Sequence, residues 1–236
     1  MAQPANAYTR SAYDNGHSPE IVTRVRHLLV IGATRHTGTQ VMQQALAAGH
    51  MVTALARDPA RIEVQHERLR VVRGDVLDPA TLAPAMAGCD AVVSTLGATS
   101  AYRAPTTLYS DGMRNIIQIM RTAGIARLVT VTAAPLGPEK DDTLRSRVIN
   151  KMLWTFIKEL YSDMARMEDV IRASGLDWTI VRPPKLTNKP PTGHYRTAIN
   201  RGVRGGYTIG RADLAAAILT LLDDPTAIHA AIGIAY

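Results

Sequence analysis

A glycine-containing turn between a buried strand and a helix is the feature that most constrains this chain. Residues 27–31, HLLVI, form a continuous apolar run, typical of a strand buried on both faces of a parallel sheet. A helix predicted over 37–48 follows. Glycines at such a turn let the backbone approach a pyrophosphate, whose charge the helix N-terminus stabilises. The turn predicts a dinucleotide site, with a tight turn that binds no ligand as the alternative; its residues are Gly32, Thr34, Arg35, His36, Thr37 and Gly38.

Strands and helices alternate along the rest of the chain. This alternation implies right-handed crossovers and an α/β fold with a single Rossmann-type, doubly wound parallel sheet flanked by helices. Residues 1–24 are predicted to be a flexible tail, and 25–236 one NAD(P)-binding domain with C-terminal elements of a substrate cleft. Strands are predicted at 51–56, 69–73, 91–95, 126–132, 177–181 and 230–236, and helices at 105–123, 141–174 and 213–222.

Three finer predictions concern the C-terminal half. Asp213 is expected to cap the last helix. The segment 185–206 is rich in Pro, Gly and basic residues, which indicates a weakly structured connection with a functional role. The apolar stripe of the 141–174 helix, with Met164 and Met167, is expected to pack in the core, although such a face can also dock a second subunit to form a homodimer.

Composition excludes several classes of protein. Apolar residues make up 46% of the 236 residues and charged residues 20%, which is typical of globular domains. The single Cys89 excludes a disulfide framework. The histidines show no metal-ligand spacing, so no metal site is expected. No apolar run is long enough to span a membrane and no signal peptide is evident, so a cytoplasmic protein without a membrane partner is expected.

The net charge of +7 raises the possibility of a nucleic-acid partner. The basic residues are spread along the chain without a block of like charges, and one Phe and two Trp provide no aromatic ladder for stacking bases. We therefore do not expect nucleic acid to be the main partner. Small anionic ligands fit the charge better.

Two arginines favour NADP(H) over NAD(H). Arg35 stands where the middle glycine of a G-x-x-G-x-x-G turn would fall, and it either narrows the pocket or reaches a 2′-phosphate. Arg57 stands at the end of the second strand, where an NAD-binding protein would place an acid for the ribose 2′-hydroxyl. Asp58 keeps NAD(H) open, because its carboxylate could accept a hydrogen bond from that hydroxyl.

A series of motifs resembles the atypical short-chain dehydrogenase/reductases with an NmrA-like, NAD(P)H-binding domain. The closest group is that of the biliverdin-IXβ and flavin reductases. The resemblance runs from about residue 27 to 236. Its motifs are GATRHTG at 32–38, ALARDP at 54–59, RGDVLD at 73–78, STLGA at 94–98, PTTLYSDGMRNII at 105–117, VTVTAA ending at 134, RASGLDWTIVRPP at 172–184 and PPTGHY at 190–195.

The resemblance implies roles for residues outside the glycine turn. Asp75 and Val76 would contact the adenine, and Leu96 and Gly97 would line the ribose and pyrophosphate. Thr132 and Pro183 would flank the nicotinamide. The acceptor would lie near Lys185 and Tyr195, and Lys185 and Thr132 are the candidate catalytic residues.

The chain departs from the family at the catalytic positions. The Tyr-x-x-x-Lys pair of the wider superfamily is missing, because Ala165 stands four residues after Tyr161. Lys158 and Tyr161 are instead expected on a solvated helical face. The Ser and His of the biliverdin and flavin reductases are replaced by Ala133 and Lys185.

These observations lead to two hypotheses. The first is an NADPH-dependent reductase of a planar, conjugated and anionic acceptor, such as a flavin, a tetrapyrrole or a quinone. Such acceptors spread charge and take a proton from solvent, so proximity matters more than a strong acid. The alternative is a non-catalytic NADP(H)-binding sensor or regulator of the NmrA-like type, which Arg35, Ala133 and Met164 favour.

Overall fold

The computed structural model describes residues 24–97, 106–136 and 158–236. The strands are β1 (His27–Ile31), β2 (Met51–Ala56), β3 (Leu69–Arg73), β4 (Ala91–Ser94), β5 (Arg127–Val131), β6 (Asp177–Arg182), β7 (Lys185–Thr187), β8 (Arg196–Ile199), β9 (Thr208–Gly210) and β10 (Ala230–Ala235). The α-helices of this part are α1 (His36–Ala47), α2 (Pro79–Met86), α3 (Leu108–Thr122), α4 (Lys158–Arg172) and α5 (Arg211–Leu222).

Eight strands form one sheet in the order β3-β2-β1-β4-β5-β6-β10-β8. All neighbours are parallel except β8, which runs antiparallel to β10 at the edge. Strands β7 and β9 form a separate parallel pair. The strand order reverses between β1 and β4, and in sheets of this kind ligands bind at the carboxyl ends of the strands beside this switch point. The predicted Rossmann-type parallel sheet is confirmed.

Two apolar layers cover the sheet. Helices α1 and α5 pack together on one face, while α3 packs against both α2 and α4 on the other. The central strands carry continuous buried runs such as Leu28–Ile31, as expected for a sheet covered on both faces. Met164 and Met167 are buried among α3 and the sheet, so the predicted core role is confirmed for the described part of this stripe.

Several sequence predictions need correction. The segment 185–206 contains β7 and β8, because short strands with polar neighbours give little periodic signal. Helix α2 was not predicted. Asp213 is not a cap: Gly210 occupies the N-cap position, and the Asp213 carboxylate in the first turn binds another segment. The predicted tail lies outside the described residues except for residue 24, as does the 141–157 part of the long helix.

The prediction that Tyr161 lies on a solvated helical face is wrong, because Tyr161 lies in the core beside α3. Lys158 is exposed, as predicted. Burial raises the pKa of the Tyr161 phenol. On the same helix, the fully buried Asp163 carboxylate accepts hydrogen bonds from the backbone N–H of Tyr109 (2.8 Å) and from the Ser110 side chain (2.6 Å). Asp163 thereby caps α3 from a neighbouring helix and aligns the two.

The amino edge of the sheet is held by a buried guanidinium. Arg127, at the start of β5, donates to the carbonyls of Leu222 (3.0 Å) and Asp177 (2.7 Å) and to the Thr179 hydroxyl (2.8 Å). It also donates to the carbonyls of Leu221 and Leu128. Burial lowers the pKa of Arg127 to about 10. These bonds join the starts of β5 and β6 to the end of α5.

No described helix is both long and apolar enough to cross a membrane.

Candidate functional site

The glycine turn lies at the carboxyl end of β1, where two backbone segments leave no room for side chains. Gly32 has φ +86°, and a Cβ there would lie 2.6 Å from the Thr95 carbonyl oxygen. A Cβ on Gly38 would lie 2.2 Å from the Gly32 carbonyl oxygen. Both distances are far below van der Waals contact. Glycine is therefore required at both ends of the turn, which lets α1 begin directly against β1 and β4.

Arg35 fits the turn without strain. It is the N-cap residue of α1, with φ −132° and ψ 140°, an extended conformation open to any L-residue. Its backbone N–H donates to the Gly32 carbonyl oxygen at 3.2 Å. The glycine that the motif would have at position 35 is thus not required by the backbone, and the departure leaves the shape of the turn intact.

The N-terminus of α1 is suited to an anion. No side chain caps this helix, and its first turn carries no acidic residue. The first N–H groups of a helix have no partner within the helix and attract negative charge, as pyrophosphate sites exploit. Thr34 and Thr37 are half-buried in the turn, and His36 is exposed. The cradle formed by the two glycines and the helix end fits a dinucleotide phosphate.

The predicted adenosine residues lie at the ends of β2 and β3, on the same edge. Arg57 follows β2 and is exposed. Asp58 accepts a hydrogen bond from the backbone N–H of Ala60 (3.2 Å) and caps the following 3₁₀ turn, so one of its oxygens is already used. Asp75 accepts from the N–H of Leu77 at 3.0 Å, which shapes the loop after β3.

Val76 and Leu96 meet beside α3. A Cβ on Gly112 would lie 2.9 Å from Val76 Cγ2 and 3.7 Å from Leu96 Cδ1, so both side chains converge on that glycine. The backbone carbonyl of Val76 also accepts from the Asn115 side chain at 2.9 Å. Gly97, in the loop after β4, is exposed. The two apolar residues that were assigned to adenine and ribose are therefore neighbours in space.

The ends of β5 and β6 bring Thr132 and Pro183 together. The Thr132 N–H donates to the Val181 carbonyl, and the Ala134 N–H donates to the Pro183 carbonyl, both at 2.9 Å. The Thr132 hydroxyl is buried and donates to Glu168 Oε1 at 2.9 Å. The predicted catalytic role of Thr132 stays a prediction.

Glu168 was missed by the sequence reasoning. Its buried carboxylate accepts from Thr132, from Arg182 Nε (3.0 Å) and Nη2, and from Arg172 Nη2 (3.3 Å). The sequence does indicate that Glu168 is buried, because it follows Met164 by four residues and so lies on the buried stripe of the helix. A buried acid in such a stripe must find partners.

The two predicted acceptor residues lie in different segments. Lys185 is exposed at the start of β7, and Tyr195 is half-buried just before β8, packed against the core. The loop that leads to Tyr195 is anchored by Asp213, whose carboxylate accepts from the N–H groups of Thr192 (3.0 Å) and Gly193 (2.9 Å) and from the Tyr236 hydroxyl (2.6 Å).

Burial alone would raise the pKa of the Asp213 carboxyl. The hydrogen bonds from Tyr236, Thr192 and Gly193 outweigh burial and hold this pKa below its ordinary value. Burial and the bond to Asp213 raise the pKa of the Tyr236 phenol. Asp213 is thus an ionised anchor for the loop that carries Tyr195, a role that sequence spacing gave no means to foresee.

A cavity lies at each edge of the described sheet. One of about 20 Å³ lies at the carboxyl edge, between the ends of β6 and β10, and is lined by Arg182, Pro184 and Arg201 among others. The other, of about 420 Å³, lies at the amino edge. Its wall contains the Arg26–Asp223 ion pair at 2.6 Å, so these charges compensate each other. Ligands of this fold bind at the carboxyl edge, which favours the first side.

Comparison with known proteins agrees with this geometry. Residues 32–225 match the model of a family described as NAD(P)H-binding. An uncharacterised chloroplast protein of Arabidopsis thaliana is 27% identical over 198 residues, covering 80% of this chain and 69% of that protein. The uncharacterised sugar epimerase YhfK of Bacillus subtilis is 30% identical over 149 residues, covering 62% of this chain and 63% of that protein.

The fold also matches a solved structure that contains a nucleotide. A short-chain dehydrogenase/reductase from Veillonella parvula, in complex with NADP, superposes with a TM-score of 0.71 at 19% identity, covering 90% of this chain and 95% of that one. This likeness concerns the fold.

Proposed function

The chain belongs to the NAD(P)H-binding family whose model residues 32–225 match, and from this premise we propose that it is an NADPH-dependent reductase of a planar, conjugated, anionic acceptor. Flavins, biliverdin-like tetrapyrroles and quinones are the acceptor classes that we propose. The observations that carry the proposal are the phosphate cradle formed by Gly32, Gly38 and the start of α1, and a buried Tyr161 that is followed four residues later by Ala165 and not by a lysine.

In the part of the chain that the structure describes, Tyr161 does not provide the acid of the Tyr-Lys pair, which favours one class of acceptor. A simple ketone needs a proton donor at its oxygen as the hydride arrives, which the Tyr-Lys pair supplies in the wider superfamily. Tyr161 is buried with a raised pKa, so it is not an accessible acid. A conjugated acceptor delocalises the added charge and needs chiefly to be held against the cofactor. When bound, the reduced nicotinamide supplies the hydride.

Lys185 and Tyr195 are proposed to hold the acceptor. Lys185 is exposed beyond the double proline that ends β6, and its ammonium group can pair with a carboxylate or phosphate of the acceptor or donate a proton. Tyr195 would contact the ring system, its loop being held by Asp213. Arg201 lines the small cavity on the same edge and adds positive charge there.

Steady-state assays of NADPH oxidation test the proposal. The purified chain is given NADPH with FMN, biliverdin or a naphthoquinone, and oxidation is followed at 340 nm, with nucleotide binding measured calorimetrically on the same sample. Turnover with at least one acceptor, reduced in Lys185→Ala, supports the reductase. Tight NADPH binding without turnover across the acceptors would overturn it in favour of a nucleotide-responsive regulator.

Arg57→Ala tests the preference for NADPH. We expect the NADPH dissociation constant to rise roughly tenfold to a hundredfold, because hydrogen bonds to charged groups contribute about 1.5–3 kcal/mol. NADH binding should change little, since NADH lacks the 2′-phosphate. Calorimetric titration with both nucleotides measures the ratio.

Arg68→Ala is the matched control for Arg57→Ala, because Arg68 is an equally cationic, exposed residue at the amino end of β3, paired with Glu67 at 3.5 Å. It should leave the NADPH to NADH ratio unchanged. If Arg57→Ala raised the dissociation constants of NADPH and NADH equally, Arg57 would not contact the 2′-phosphate. That result would favour NADH, with its ribose hydroxyl bound by Asp58.

A further inference from the structure

The Glu168 carboxylate ties three elements together at one end of the sheet. It lies on α4 and binds Thr132, the residue after β5, and Arg182, the last residue of β6. All three side chains are at least nine-tenths buried. A buried carboxylate and guanidinium are costly to desolvate, and replacing such pairs with apolar residues is often neutral or stabilising. Stability alone therefore does not explain why this network of Glu168, Thr132 and Arg182 is present.

The position of the network relates it to the proposed cofactor. A dinucleotide binds across the switch point of this fold, one nucleotide on each half of the sheet. The adenosine half belongs with β1, β2 and β3, where the glycine turn and Arg57 lie. The other half then lies over the ends of β4, β5 and β6. Thr132 and Arg182 are at the ends of the last two of these strands.

The direction of the Thr132 hydrogen bond limits what this hydroxyl can do. A hydroxyl has one hydrogen and two lone pairs. The Glu168 carboxylate offers only lone pairs to it, and two arginines hold that carboxylate in place. The Thr132 hydrogen is therefore directed to Glu168 Oε1. What Thr132 can offer a ligand is an acceptor, which also speaks against Thr132 as a proton donor to the substrate.

We propose that Glu168 is a positioning residue that fixes the Thr132 hydroxyl as the hydrogen-bond acceptor for the carboxamide NH₂ of the nicotinamide. This inference rests on the proposed NADPH site and deepens it. The carboxamide is the donor group on the nicotinamide ring, and a fixed acceptor at the end of β5 would set the rotation of the ring. Glu168 acts through Thr132 and contacts no ligand itself.

The test compares two cofactors that differ at this group. NADPH carries the carboxamide, and the reduced 3-acetylpyridine analogue carries an acetyl group that cannot donate. Dissociation constants of both are measured by titration of the full chain. We expect the wild type to prefer NADPH by about tenfold, as one hydrogen bond predicts. Thr132→Val should bring the ratio close to one, and Thr132→Ser should keep the preference.

Glu168→Gln probes the positioning step. The glutamine amide can donate to Thr132, which frees the hydroxyl hydrogen to turn outwards, so the preference for NADPH should fall to within about twofold of one. This variant also leaves Arg182 without a buried counter-charge and could fail to fold. Thr132→Val keeps the Glu168–Arg182 pair and decides the question in that event.

Asp163→Asn is the control, because Asp163 is a second fully buried carboxylate on the same helix that serves the α3 N-terminus. It should lower thermal stability and leave the cofactor ratio unchanged. A wild-type ratio near one, or an unchanged ratio in Thr132→Val, would overturn the inference. Absence of turnover would leave the ratio measurable and count against the reductase alone.

Discussion

Replacing Gly38 with alanine is expected to raise the NADPH dissociation constant by at least about a hundredfold, equivalent to roughly 3 kcal/mol. The added Cβ would lie 2.2 Å from the Gly32 carbonyl oxygen and 2.6 Å from Thr95 Oγ1, and backbone cannot yield as a flexible side chain can. Helix α1 must then move away from β1 and β4, which removes its first N–H groups from the phosphates. Calorimetric titration with NADPH measures the loss.

Gly124→Ala serves as the control for Gly38→Ala. Gly124 closes α3 at φ +70°, with no other atom within 4 Å of an added Cβ. Alanine there costs about 1–2 kcal/mol in backbone strain, at the edge of the sheet remote from the turn. We expect lower stability with unchanged NADPH affinity. If Gly38→Ala bound NADPH as tightly as the wild type, the turn would not be the phosphate site.

Arg127→Leu is expected to lower the free energy of unfolding by about 4 kcal/mol. The substitution leaves the Leu221, Leu222 and Asp177 carbonyls and the Thr179 hydroxyl without the donor that Arg127 provides in the interior. Urea denaturation followed by circular dichroism measures the change. NADPH affinity of the folded protein should persist, because Arg127 lies at the amino edge of the sheet, opposite the glycine turn.

Arg121→Leu provides the comparison for Arg127→Leu. Arg121 lies on the exposed side of α3, and its guanidinium donates a hydrogen bond to the Ser174 carbonyl. Its loss should cost no more than about 1 kcal/mol. Equal denaturation midpoints for the two variants would show that the Arg127 network contributes little to stability.

The sheet could be predicted because its signals are local. Strands β2 and β3 have the bounds that the sequence predicts, and Gly32 and Gly38 indicate a turn that no other residue type can form. The proposed phosphate site rests on that turn alone, because the position of a helix N-terminus after a strand is a property of consecutive residues. Arg57 could be located by counting from Gly38.

The contacts between distant segments could not be predicted in this way. Glu168 reaches Thr132 and Arg182 across 36 and 14 residues of chain, and Asp213 reaches back to Thr192 across 21. Periodicity places Glu168 on a buried face but does not name its partners. Asp213 was misread because an acid near a helix start is usually a cap, whereas here the cap position falls three residues earlier, on Gly210.

A nucleotide bound at the uncapped start of α1, as proposed above, would link the lifetime of the folded chain to nucleotide supply. A ligand that binds the folded state alone shifts the folding equilibrium, by about 2.7 kcal/mol when its free concentration is a hundred times its dissociation constant. The unfolded fraction, which proteases degrade, would then shrink about a hundredfold. With the proposed site, a cell rich in NADP(H) would accumulate this protein, and depletion of the whole NADP(H) pool would shorten its half-life before any change in its synthesis.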